Sequence, residues 1–280
     1  MRAYEEFFGM EKAPFQRDMP VKNLFMTDAM KEALGRLQFI AEDRGFAVVL
    51  AEPGCGKSTL IRKYAASLDP NRFIYTYLSD SKLTPRWLYK GMLDQLGGEA
   101  HFYRGDSKRE LQKQIAFIQN VSHKKVVCVL DEAHLLEREV IEEFRFLLNT
   151  NFDSEGPMAL VLVGQNELWD NKLRLQRYAA VRQRIDLYCS LPRLSRSETG
   201  DYIRYQIRYS QCGKEIFTED ALGTIYDAAG GIMRVINQIC KKCLMYASQV
   251  KQTTINADMV RYVVQHEMPA MDDPDLTGRS

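Results

Sequence analysis

The run Ala51-Glu52-Pro53-Gly54-Cys55-Gly56-Lys57-Ser58 sets two glycines, a lysine and a hydroxyl at the spacing that cradles a polyphosphate. Gly54 and Gly56 let backbone N–H groups curl around phosphate oxygens, and a helix entered directly afterwards turns its positive end to the same point. Lys57 is then placed to reach the β and γ phosphates of ATP, and Ser58 to hold Mg²⁺. The candidate nucleotide-binding set is Pro53, Gly54, Cys55, Gly56, Lys57, Ser58 and Thr59. This is the Walker A pattern with Ala51 at its first glycine, and a small residue serves there if its φ is negative.

A second constellation follows an apolar run, Val126-Val127-Cys128-Val129-Leu130, which ends in Asp131-Glu132. A strand of this kind delivers Asp131 to a metal and Glu132 to an attacking water. A carboxylate can orient and deprotonate that water while the cation offsets the closeness of two negative charges. Asp131-Glu132-Ala133-His134 also spells a helicase box. The other helicase motifs are absent, so His134 reads as incidental, with a local hydrogen-bonding or packing role.

Three weaker signals complete the set. Gln165 or Asn166, after the apolar run Ala159 to Val163, can touch a γ-phosphate. Arg182 and Arg184, in Val181-Arg182-Gln183-Arg184-Ile185, can present positive charge to a neighbouring subunit's γ-phosphate. Gly230-Gly231-Ile232-Met233-Arg234 places an arginine at the start of a helix, where it can report the phosphate state.

The elements that must position these groups alternate. Thr27 caps a helix to Arg44, stopped by Gly45. Phe46 to Leu50 is a strand, Ser58 to Leu68 a helix, and Phe73 to Leu78 a second strand. Thr84-Pro85 opens a helix, and Ser107 with Glu110 forms a capping box opening another. Val126 to Leu130 and Ala159 to Val163 are the third and fourth strands, with an amphipathic helix between them through Val140, Ile141, Phe144, Leu147 and Leu148. Strand–helix alternation predicts an α/β fold, a parallel sheet with helices on both faces. After Pro192 the pattern turns helical: Ser195 and Glu198 form another capping box, and breaks fall at Gly213, Gly230-Gly231 and Asn256. The expected organisation is an N-terminal segment at 1–26 near the nucleotide, an αβα core at 27–191, a small helical lid at 192–266, and a disordered tail at 267–280.

Length and composition agree with this. A hydrophobic fraction of 45% over 280 residues supports a buried core. No apolar run approaches the roughly 20 residues that span a bilayer. The N-terminus carries Glu5 and Glu6 where a signal peptide carries bases, which predicts a cytoplasmic protein without membrane association. Cys240 and Cys243 form a lone CxxC, read as helical core cysteines because zinc wants four ligands. A net charge of +1 excludes a global basic footprint, so any nucleic acid must meet a local patch.

Taken in order, the two phosphate-site motifs, Leu162-Val163-Gly164-Gln165-Asn166-Glu167-Leu168, Val181-Arg182-Gln183-Arg184-Ile185 and the Gly-x-x-Arg at Gly231–Arg234 resemble ExeA-type AAA+ ATPases. The opening Phe7-Phe8-Gly9-Met10-x-x-x-Pro14-Phe15 is similar to that family's N-terminal signature, and the resemblance covers about residues 4 to 266. It implies an AAA+ P-loop fold, ATP and Mg²⁺ as cofactors, Asp131 and Ser58 as metal residues, and Glu132 as base. It further implies Gln165 as sensor 1, Arg184 as arginine finger with Arg182 competing, Arg234 as sensor 2, and Pro14 and Phe15 near the adenine. ExeA-type secretion proteins continue into a membrane segment and a peptidoglycan-binding region. A stand-alone ATPase resembles instead the TnsC, TniB and IstB group, which assembles on DNA as rings or filaments and serves a transposase. That resemblance implies a homo-oligomer on double-stranded DNA with a transposase partner. The alternatives are a secretion or envelope ATPase and a signalling or adaptor ATPase. The DNA-contacting stretches expected are Ser79 to Leu83 and His101 to Lys108, with Lys82, Arg104 and Lys108 as cations and Phe102 and Tyr103 beside them.

Overall fold

The computed structural model describes residues 3–80, 83–148 and 156–268. The chain divides into two compact units, one from Met26 to Pro192 and one joining Met1–Phe25 to Arg193–Ser280.

The first unit is built on a five-stranded parallel sheet: β1 (Phe46–Ala51), β2 (Phe73–Leu78), β3 (Lys125–Leu130), β4 (Ala159–Gly164) and β5 (Leu187–Leu191), in spatial order β2-β3-β4-β1-β5. Every residue of β1 and β4 is buried, as strands covered on both faces require. In chain order, α1 (Ala3–Phe8) precedes this unit, and α2 (Asp28–Asp43), α3 (Lys57–Ser67), α4 (Pro85–Leu96), α5 (Arg104–Val121), α6 (Arg138–Leu147) and the short α7 (Ala179–Arg182) belong to it. Phe46, Val48 and Leu50 share one core with Cys128, Leu160, Leu162 and the inward residues of α4, α5 and α6. Side chains alternate across a strand, so Ala47 and Val49 face the opposite layer, where α2 and α3 pack on β1.

Local chemistry sets most boundaries. The Thr27 hydroxyl accepts from Met30 N at 3.2 Å and the Thr84 hydroxyl from Trp87 N at 3.4 Å, and Pro85 occupies the first helical position. α2 ends with Arg44, not Gly45, in the left-handed region. Gly45 is required for another reason: a Cβ there would lie 2.8 Å from the Asp186 carboxylate that accepts from Phe46 N. Two expectations are corrected. The Ser107–Glu110 box does not form, because Ser107 is buried inside α5 and its hydroxyl bonds back to both His101 N and His101 O at 3.0 Å, so the helix begins earlier, at Arg104. The fifth strand, Leu187–Leu191, is not among the elements expected from sequence; only its two end residues are buried.

The second unit is helical: α8 (Arg196–Tyr209), α9 (Glu219–Ala229), α10 (Met233–Gln249) and α11 (Ala257–Glu267), with α1 packed on α10. Ser195 and Glu198 form the expected reciprocal cap on α8, and Asn256 caps α11. The segment ahead of Phe25 belongs with these helices: Glu11 N donates to Ser210 O at 3.0 Å and Phe15 N to Gln206 Oε1 at 3.0 Å. Cys240 and Cys243 lie in the core of α10, and burial pushes the Cys243 thiol up to about 12. Among the described residues no helix is long and apolar enough to cross a membrane. The expected tail falls almost wholly outside the described residues.

One glycine of this unit carries a large stability expectation. Gly231 has φ +76°, and a Cβ on it would fall 2.1 Å from the Leu194 carbonyl oxygen. Leu194 N in turn donates to Gly231 O at 3.0 Å, so the two backbones cannot part cheaply. Gly231→Ala is expected to cost roughly 3 kcal/mol through strain and backbone displacement. Denaturant titration followed by circular dichroism checks it; an unchanged midpoint contradicts the close approach.

Candidate functional site

The strand order explains why distant motifs meet. β4 lies between β1 and β3, with Gly164 opposite Leu50 and Leu162 opposite Leu130. The loop after β1, the acids after β3 and Gln165 after β4 therefore emerge side by side at the carboxyl edge of the sheet. In open parallel sheets this edge is where ligands bind.

The loop has the form the sequence predicts. Gly54 and Gly56 hold φ of 84° and 97°, and Gly56 is the residue from which α3 starts. Ala51 ends β1 and is not among the residues with positive φ, so alanine at that position is unstrained. Lys57 is 9% exposed, and its Nζ donates to Ala51 O at 2.9 Å and Glu52 O at 3.3 Å. The loop's own carbonyls thus hold the ammonium at the mouth of the cradle. Cys55 is buried, Pro53 and Ser58 are exposed, and Thr59 is half-buried.

Asp131 is buried, and each of its oxygens has a protein donor. Tyr77 Oη donates to Oδ2 at 2.6 Å and Glu132 N to Oδ1 at 2.8 Å. An ionised carboxylate offers about four lone-pair sites, so room remains for a cation. With the Ser58 hydroxyl this is an oxygen-only donor set, which suits Mg²⁺. Burial, and then the bond to Asp131, push the Tyr77 phenol well above its ordinary range, so it stays a donor. Glu132 is left-handed at φ 52°, a conformation costing a residue with a Cβ about 1–2 kcal/mol. This geometry turns its half-exposed side chain out of the strand direction.

Gln165 does not stand alone. Its Nε2 lies 2.9 Å from His134 Nε2, and His134 Nδ1 lies 3.6 Å from Glu132 Oε2. Asn166 is exposed, and its carbonyl accepts from Trp169 N and Asp170 N, starting the turn that follows β4. Sequence reasoning sets His134 aside and misses Tyr77. Tyr77 carries no motif signal, since only strand pairing brings β2 beside Asp131.

The arginines fall in different settings. Arg182 Nη1 donates to the carbonyls of Leu173, Arg174 and Leu175 at 3.0, 2.7 and 3.4 Å, tying down the end of a π-helical turn at Trp169–Leu173. Arg184 Nη1 donates to Ala180 O at 2.9 Å, just before β5. Arg234 is exposed in the first turn of α10, and Phe15 is buried in the helical unit with φ 59°. Of the expected DNA residues, Lys82 lies outside the described residues. Arg104 pairs with Glu143 at 3.2 Å, and Lys108 sits 3.7 Å from the Phe146 ring centre. Phe102 and Tyr103 are 72% and 70% exposed, with Arg86 stacked on Phe102.

Comparison with known proteins agrees with this geometry. Residues 40–171 match the AAA_22 family, described as an AAA domain. General secretion pathway protein A of Aeromonas hydrophila is 32% identical over 249 residues, which cover 87% of this chain and 45% of that protein. The chain therefore spans about half the length of that relative. Among solved structures, the Aeropyrum pernix ORC2 protein, in ADPNP–ADP complexes, matches 98% of this chain and 74% of its own with a TM-score of 0.63 at 16% identity. The Aeropyrum pernix ORC1 protein in complex with DNA matches 89% of this chain and 68% of its own with a TM-score of 0.64 at 13% identity. At such identities the structures speak for the fold alone. The phosphate loop, the Asp131–Glu132 strand end and the 2-3-4-1-5 parallel sheet give this chain the AAA+ P-loop NTPase fold, and its residues 40–171 are similar to the AAA domain of the AAA_22 family.

Proposed function

We propose that this chain binds and hydrolyses ATP as a homo-oligomer in the cytoplasm, and that its nucleotide state governs assembly on double-stranded DNA for a transposase. The observation that carries the enzymatic part is the convergence of Lys57, Asp131, Glu132 and Gln165 at one edge of the sheet. Lys57 leaves the loop carbonyls for the β and γ phosphates. The backbone N–H groups of Gly54 to Ser58 wrap the same phosphates at the start of α3. Ser58 and Asp131 would hold Mg²⁺, whose charge offsets that of the phosphates. Glu132 takes the proton of the attacking water, and Gln165 orients that water against the γ-phosphate. Arg184 reaches the γ-phosphate held by a neighbouring copy. The family resemblance assigns Arg234 the role of phosphate sensor and Phe15 a role in adenine recognition.

The DNA part rests on the stretch from His101 to Lys108, exposed from His101 to Asp106, on the resemblance to transposition ATPases, and on likeness of fold to a protein solved with DNA. Cations near phosphates release counterions, and repetition around an oligomer makes a modest charge per subunit sufficient. Contacts to the backbone predict little dependence on base sequence. Filter binding with ATP across a salt series tests it. Lys82→Ala and Arg104→Ala are each expected to weaken binding and to flatten the log–log salt slope by about 0.9 for each DNA phosphate left without its cation. Unchanged affinity and slope in both variants remove these stretches from the interface. Failure of the parent chain to bind duplex with ATP at low salt removes the DNA role. A second reading, an ATPase of secretion or envelope assembly, is favoured by the similarity to general secretion pathway protein A.

A further inference from the structure

We propose that His134 is a positioning residue that holds Gln165 and Glu132 in register with one another, one on each ring nitrogen. This rests on the reading that those two residues act on ATP. The ring is 11% exposed, so it is not a solvated surface group. Its Nε2 faces the Gln165 amide nitrogen at 2.9 Å. An amide nitrogen has hydrogens to give and no lone pair to offer, so Gln165 donates and Nε2 accepts. The ring hydrogen therefore sits on Nδ1. Nδ1 is buried without a hydrogen-bond partner, a costly arrangement unless something completes it. The Glu132 carboxylate lies 3.6 Å away. A small rotation of the half-exposed Glu132 side chain brings it into hydrogen-bond range.

The backbone beneath the ring is fixed from two sides. Lys172 Nζ donates to His134 O at 2.5 Å and Leu136 O at 2.6 Å, locking the turn after Glu132 to the segment after Gln165. Gly164 lets the two segments touch: a Cβ there would lie 3.1 Å from His134 N. With the backbone pinned, the imidazole spans the gap between the γ-phosphate-facing amide and the base. One Gln165 N–H is used on His134, and the second is left to point elsewhere, toward the phosphate. Nδ1–H steadies the carboxylate that must align the water. Misplacement of such groups by about 1 Å can cost on the order of 100-fold in rate.

The test has two arms, one independent of turnover. In the first, ¹⁵N-histidine NMR of the nucleotide-free chain assigns His134 by its loss in His134→Gln. The expected spectrum is the Nδ1–H tautomer, perturbed in Gln165→Leu. The Nε2–H tautomer, or a His134 signal indifferent to Gln165→Leu, overturns the proposal. In the second, His134→Phe is expected to lower kcat for ATP about 10–100-fold with ATP affinity within about twofold. His134→Gln, whose side chain can accept and donate in the same two directions, is expected to recover most of it. In the Gln165→Leu background, His134→Phe should add much less than it does alone. Unchanged kcat in His134→Phe, or equal loss of kcat and affinity in Phe and Gln variants alike, overturns it. If the parent chain hydrolyses no ATP, the enzymatic reading fails, and the tautomer still decides the His134 contacts.

Discussion

Glu132→Gln is expected to bind ATP as the parent chain does and to hydrolyse it about 10²–10⁴-fold more slowly. The substitution keeps the shape of the side chain and removes its ability to take a proton. The phosphate cradle is built from other residues: Gly54 and Gly56 with their positive φ, the start of α3, and Lys57. None of these depends on the Glu132 carboxylate. Asp131 also keeps its support, since its bond from residue 132 comes from the backbone N–H and its other bond from Tyr77. Lys57→Ala is the contrasting control, because Lys57 is the cation proposed to reach the β and γ phosphates, so binding itself should weaken. Equilibrium titration with a fluorescent ATP analogue and phosphate release under saturating ATP separate the two effects. Parent-like turnover in Glu132→Gln removes the residue from the role of base.

Features coded in contiguous residues are legible without the fold. β1, β4 and the Val126–Leu130 part of β3 are unbroken apolar runs because both faces of a central parallel strand are covered. Thr27, Thr84 and Ser195 declare helix starts because a cap acts within three residues. β5 escapes because it is an edge strand: Tyr188 and Ser190 are exposed, so Leu187–Leu191 shows neither an apolar run nor a clear break from its surroundings. Ser107 misleads because its hydroxyl has a competing partner in the His101 backbone, which tertiary burial favours over the cap.

The site divides along the same line. The phosphate loop and the Asp131–Glu132 pair are local motifs, and their positions follow from one strand and one helix each. Tyr77 is 54 positions from Asp131, and His134 meets Gln165 across 31. Both contacts arise only once the sheet order β2-β3-β4 sets neighbours beside each other. Nothing in the sequence announces Tyr77, whereas the run Asp131–His134 gives His134 a local hydrogen-bonding role without naming its partner.

Arg184 is the residue proposed to be offered to a neighbour, with Arg182 as its rival. Arg182 spends its guanidinium on three carbonyls of its own chain, at the end of the Trp169–Leu173 turn. Arg184 stands two residues on, half-exposed, with Nη1 on the carbonyl of Ala180 one helical turn back. A guanidinium offered to the γ-phosphate of another subunit stabilises charge that develops only as the phosphoryl group transfers. Its removal should therefore spare binding and depress turnover. Arg184→Ala is expected to bind ATP with parent affinity and to hydrolyse it about 10³–10⁵-fold more slowly, the range for loss of such an arginine. Lys57→Ala is expected to be inactive for the opposite reason: it binds the nucleotide weakly, yet its own Arg184 is intact. In a mixture, an Arg184→Ala subunit supplies a loaded site and a Lys57→Ala neighbour supplies the arginine, so part of the activity should return. The recovery should rise and then fall with the mixing ratio, because only unlike neighbours make a complete site. Turnover measured across that ratio, with both variants verified as folded by circular dichroism, decides the matter. No recovery at any ratio counts against a site shared between subunits and leaves Arg184 with a role inside its own chain.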